Sequence, residues 1–151
     1  MSLQSPRQFS ATDRIAASLS DFAVLVARLL MGWLFLTNGW EKLTHMDRTA
    51  GYLGSLGVPA PQLMAWPTMA GELLIGITLI LGIATRYMAL FSIFFLVVAT
   101  ALAHRYWQYQ PAQMANQYAH FCKNLAIIGG SLLLFVIGAG KTSLDAMLGR
   151  R

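Results

Sequence analysis

Glu72 carries the clearest chemical potential in this sequence. Between Pro67 and Arg86, in PTMAGELLIGITLILGIATR, it is the single charge among eighteen residues. A carboxyl group in such surroundings can hold an ion pair, or it can handle a proton beside a bound molecule. Groups suited to the same neighbourhood fall in three other stretches. Asn38, Glu41, Lys42 and His45 occur in TNGWEKLTH, His104 closes ATALAH, and His120, Lys123 and Asn124 occur in HFCKN. Arg28 stands alone within FAVLVARLLMG. Ammonium, guanidinium, imidazole and amide groups are the donors that would line a polar vestibule and hold a ligand's oxygens.

What positions these groups follows from composition. The chain of 151 residues is 56% hydrophobic and 11% charged, with a mean hydropathy of +0.55. A water-soluble domain carries about 25% charged residues, so this chain lacks the charge to cover a water-facing surface. Four apolar stretches, at about 22–43, 63–85, 87–104 and 121–140, approach the roughly 20 residues that cross about 30 Å of hydrocarbon as a helix. The sequence therefore predicts an all-α integral membrane protein. Its core is a four-transmembrane-helix bundle over 22–140, with a polar amino-terminal arm (1–21) and a tail (141–151). The first stretch contains Arg28 and no small-residue cleavage site follows it, so it reads as a membrane helix rather than a signal peptide. DRTAGYL predicts a short interfacial helix in the first outer loop, before the turn signals of YLGSLGVPAP. TSLDAML predicts a short cytoplasmic carboxyl-terminal helix with Thr142 or Ser143 as its N-cap.

Four spans place both termini on one side. Six basic residues (Arg7, Arg14, Arg86, Lys141, Arg150, Arg151) fall there against four (Lys42, Arg48, Arg105, Lys123) on the other, which predicts cytoplasmic termini. The net charge of +5 comes from scattered residues. It fits lipid headgroup contact and excludes a nucleic-acid stripe. The lone Cys122 excludes an internal disulfide and a CxxC site, and is expected to be a small packing residue.

Charges at membrane depth need partners. Arg28 sits about 10 Å inside the first helix by rise per residue, with snorkelling or a structural ion pair set against a ligand-binding role. Glu72 lies about 12 Å from the outer face, and Arg86 is about 21 Å away along the same helix. Its partner must come from another helix: Arg28 from below, or His104 or Lys123 from above. The protonated form is a further option, because low-dielectric surroundings disfavour charge. A structural ion pair and a proton-handling role both stand. Asn38, Lys42, His104, His120, Lys123 and Asn124 fall at outer helix ends, as a vestibule or as interfacial decoration. The histidines lack motif spacing, so no metal or haem site is expected. Gly71 and Gly82, and Ala126 with Gly130, read as helix-packing positions. Gly-Lys-Thr at 140–142 lacks the upstream glycine and strand of a phosphate loop.

Taken in order, VARLLMGWLFLTNGWEKL, YLGSLGVPAP, GELLIGITLILGIATR, FCKNLAIIGGSLLL and GAGKTSLD resemble the DoxX family of small four-helix bacterial membrane proteins, over about Phe22 to Leu148. The family pattern maps onto Arg28, Gly39, Lys42, Gly57, Pro59, Glu72, Gly76, Gly82, Arg86, Lys123, Asn124, Gly138, Gly140, Ser143 and Asp145. The chain looks most similar to an enteric inner-membrane branch with an aromatic-rich outer loop before the Lys-Asn pair. The resemblance implies a bacterial inner-membrane location and a membrane component of a redox system, touching quinone, with a membrane or soluble redox partner. The sequence shows no flavin, haem or thiol-pair motif of its own. Set against this reading are a membrane scaffold with purely structural charges, its RYWQYQPAQMANQY loop docking a partner, and a small proton-linked transporter. Homo-oligomerisation is compatible with a bundle this small.

Overall fold

The computed structural model describes residues 10–149. Arg7, Arg150 and Arg151, used in the orientation count, lie outside the described residues. The helices are α1 (Ala11–Thr44), α2 (Met46–Ser55), α3 (Pro61–Leu81), α4 (Thr85–Ala103), α5 (Pro111–Ile137) and α6 (Leu144–Met147), with one 3-10 turn at Tyr106–Gln108. No strand occurs among the described residues. Helices α1, α3, α4 and α5 are long and apolar enough to span a membrane. The expected four-span bundle is therefore the observed fold, and the chain is a membrane protein.

Two helices start earlier than hydropathy indicates. Helix α1 has 34 residues, about 51 Å at 1.5 Å per residue, and takes in Ala11–Asp21 of the expected polar arm. Ser10 starts it with a capping box: its Oγ accepts from the Asp13 amide at 3.2 Å, and its own amide donates to the Asp13 carboxylate at 2.9 Å. Helix α5 starts at Pro111 instead of Phe121, with proline in the first turn, where its missing N–H costs nothing. Part of the supposed outer loop is thus helix. The predicted interfacial helix appears as α2 and packs on α1 and α3. The predicted carboxyl-terminal helix appears as α6, where Ser143 Oγ accepts from the Ala146 amide at 3.1 Å.

Helices α1 and α3 form the tightest pair. A Cβ on Gly76 would lie 2.7 Å from the Leu36 nitrogen, and one on Gly32 would lie 2.9 Å from the Gly76 oxygen. Only glycine lets these backbones touch. The expected small-residue positions pack elsewhere: Gly71 faces Phe95 and Gly130 faces Met31. Between the spans, Val24, Phe35, Ile75, Leu79, Leu96 and Leu134 form a buried core. Helices α4 and α5 are tied by Ser92 and Ser131 hydroxyls 2.8 Å apart, and by Asn124 donating to Thr100 Oγ1 at 2.8 Å. The outward surface carries Leu30, Trp33, Phe94 and Val136, a composition suited to acyl chains. Cys122 is exposed rather than packed.

One end of the bundle holds the terminal segments and the α3–α4 turn; it is called the terminal end. The other, with α2 and the 3-10 turn, is the loop end.

Candidate functional site

The site is built where α1 and α3 run side by side. Gly39 admits Leu73 so closely that a Cβ there would lie 2.9 Å from the Leu73 nitrogen. Lys42 follows Gly39 by one turn, and Glu72 precedes Leu73. The close approach therefore brings ammonium and carboxylate together, with Lys42 Nζ 2.7 Å from Glu72 Oε2. Glu72 is 12% exposed and Lys42 24%. None of the expected partners, Arg28, His104 or Lys123, forms an ion pair with Glu72; its ion pair is with Lys42. Which helix packs against α3 is not written in local sequence, so Lys42 is legible there as an outer-end vestibule candidate and not as the partner of Glu72.

Above the pair opens a cavity of about 430 Å³, within the range of small-molecule sites. Asn38, Lys42, Glu72, His104, His120, Lys123 and Asn124 all line it. Seven of the eight candidate residues thus meet in one place. Asn38 donates to its own helix at Leu34 O, 2.8 Å away, and Asn124 is buried and committed to Thr100. The His104 and His120 rings stack with centroids 5.0 Å apart and 18° between planes. Gln117 Oε1 lies 2.8 Å from His104 Nδ1, which fixes that ring. His45 also lines the cavity but is exposed, held against Thr44 and the Glu41 carbonyl.

Sequence reasoning missed the walls. Tyr52 and Thr49 from α2 and Phe94, Val98 and Leu102 from α4 line the cavity. Phe94, Val98 and Leu102 recur every four residues, the spacing of one helix face, and are 66%, 39% and 42% exposed on the outside of the bundle. The α4 rim of the cavity thus faces hydrocarbon. That periodicity was legible but was indistinguishable from any lipid-facing stripe.

Arg28 lies at the terminal end. It is 1% exposed and does not snorkel. Its guanidinium donates to Ala139 O at 2.6 Å and Thr142 O at 2.7 Å, carbonyls freed by the end of α5 and the following loop. It bends around Gly82, whose φ is +68° and where a Cβ would collide with the guanidinium. Asp145, from α6, accepts the Ala84 and Thr85 amides at 2.9 Å each and so caps α4. A second cavity, of about 650 Å³, lies beside this clamp. Its charged groups are committed: Lys141 pairs with Asp21 at 2.9 Å, and Arg86 donates to the carbonyls of Phe135 and Val136. The loop-end cavity is the better site.

A family model for DoxX matches residues 23–105. The chain belongs to the DoxX family. A model described as the SURF4 family matches residues 65–149. The Escherichia coli inner membrane protein YqjF is 38% identical over 133 residues, covering 88% of this chain and 97% of YqjF. The Escherichia coli inner membrane protein YphA is 34% identical, covering 81% of this chain and 87% of YphA. A Bacillus subtilis protein named "Putative oxidoreductase CatD" is 33% identical over 66 residues, 44% of this chain and 48% of CatD. No solved structure gives a significant match. With its four apolar helices and inner-membrane relatives, this DoxX-family chain is a multi-pass inner-membrane protein.

Proposed function

We propose that this DoxX-family protein is a membrane subunit of a redox system and that its loop-end cavity takes a quinone ring. The observation that carries the reading is the pairing of an apolar, lipid-facing rim with a charged floor. Phe94, Val98 and Leu102 form the rim; Lys42, Glu72 and Lys123 form the floor. A ligand dissolved in the bilayer enters past that rim, and its ring oxygens meet the lysines. The name of CatD points the same way. Glu72, ionised against Lys42, takes a proton from a quinol hydroxyl, or returns one to a quinone that has gained electrons. The electrons pass to or from a partner redox protein. The basic-residue bias supports cytoplasmic termini, which turns the cavity to the periplasmic side.

The test is quinone content and turnover. Protein extracted with native lipid is expected to carry quinone. Glu72→Gln is expected to keep that quinone while slowing coupled turnover about 100-fold, the scale of one general acid–base group. Absence of quinone, together with unchanged respiratory flux on deletion, would overturn the reading. A scaffold role is favoured by a second feature, the edge-to-face cluster of Tyr106 with Trp107 and Tyr118, in which Trp107 and Tyr118 are more than half exposed. A gentle-detergent pulldown that returns only the chain itself would dismiss it. Transport is disfavoured because the core from Phe35 to Leu134 separates the two cavities.

A further inference from the structure

The loop-end cavity has an unequal set of basic and acidic side chains. Two of its cations are matched: Lys42 to Glu72 at 2.7 Å and Arg48 to Glu41 at 3.5 Å. Lys123 is the remainder. Among the described residues no carboxylate lies within ion-pair distance of it. It sits half-buried on α5, facing the cavity, with Glu72 and Lys42 both within electrostatic reach. Its neighbours do not relieve it. Asn124 gives its amide to Thr100, and His120 is stacked on His104. The floor therefore holds two ammoniums against one carboxylate. An excess cation at the edge of a low-dielectric bundle is costly unless an anion completes it.

We infer that the cavity selects the anionic form of a lipophilic, acidic ring compound, with Lys123 as its counter-ion. The inference rests on the quinone reading for the ring and adds the charge state. The ring lies against the α4 wall, and the ionised oxygen points to Lys123. Glu72 opposes the same oxygen, so the two residues pull affinity in opposite directions. A merely structural role for both would not separate their signs.

The probes are 2-hydroxy-1,4-naphthoquinone, whose anion absorbs visible light, and its neutral 2-methoxy ether. Binding of each to the full chain in nanodiscs is measured at pH 7. The hydroxy compound is expected to bind about tenfold tighter, the scale of one charge-assisted contact, and to show the anion spectrum when bound. Lys123→Met is expected to remove that preference, Lys123→Arg to keep it, and Glu72→Gln to enlarge it. Binding of the ether to each variant reports that the cavity is intact. Equal binding of both probes, or a preference that survives Lys123→Met, overturns the anion selection while leaving the quinone reading standing. Binding of neither probe overturns both.

Discussion

The two ends of the bundle each bury a charge, and they treat it in opposite ways. At the terminal end Arg28 and Asp145 spend their hydrogen bonds on backbone: the guanidinium on two loop carbonyls, the carboxylate on two amides of α4. At the loop end Lys42 and Glu72 meet each other beside open space, with Lys123 left over. Charges that satisfy backbone fix the chain and leave nothing to offer a ligand. Charges that face a cavity hold the helices less and stay available. Membrane depth alone does not mark function; the identity of the partner does.

This contrast can be broken at graded cost. Arg28→Met leaves the Ala139 and Thr142 carbonyls without their donor; a loss of about 3–5 kcal/mol is expected, read as an early thermal transition in detergent. Gly82→Ala puts a side chain at positive φ and against that guanidinium, at a cost of about 2 kcal/mol by the same measurement. Glu72→Gln is expected to cost about 1–2 kcal/mol, less than a fully buried pair because Lys42 keeps access to the cavity, while coupled turnover falls. Separating Arg48 from Glu41, exposed at 71% and 56%, is expected to change stability by less than about 0.5 kcal/mol. If the loop-end variants unfold the protein as readily as Arg28→Met, the distinction between fixing and available charges fails.

Much of this was legible in the sequence, for specific reasons. The spans showed because bilayer thickness sets a length of apolar run. The caps at Ser143 and the α2 segment showed because turn chemistry is local. The starts of α1 and α5 did not, because their first turns are polar and hydropathy is blind to polar helix. Glu72 was recognisable as the residue needing a partner. Lys42 was not recognisable as that partner, since the α1–α3 contact depends on Gly32, Gly39 and Gly76 meeting across two helices. Arg28 was legible as a buried charge near the terminal end, but its partners were not, because its acceptors are main-chain oxygens, which carry no sequence signature.

The clamp around Arg28 has a consequence for how the protein is made. Thr142 and Asp145 follow α5 in the chain, so they leave the ribosome after all four of these spans. Until they arrive, the first amides of α4 are uncapped and Arg28 lacks its acceptors. Closure of the bundle is thereby tied to the arrival of the segment after α5, and a chain terminated before it would display a naked guanidinium and loose helix ends to membrane proteases.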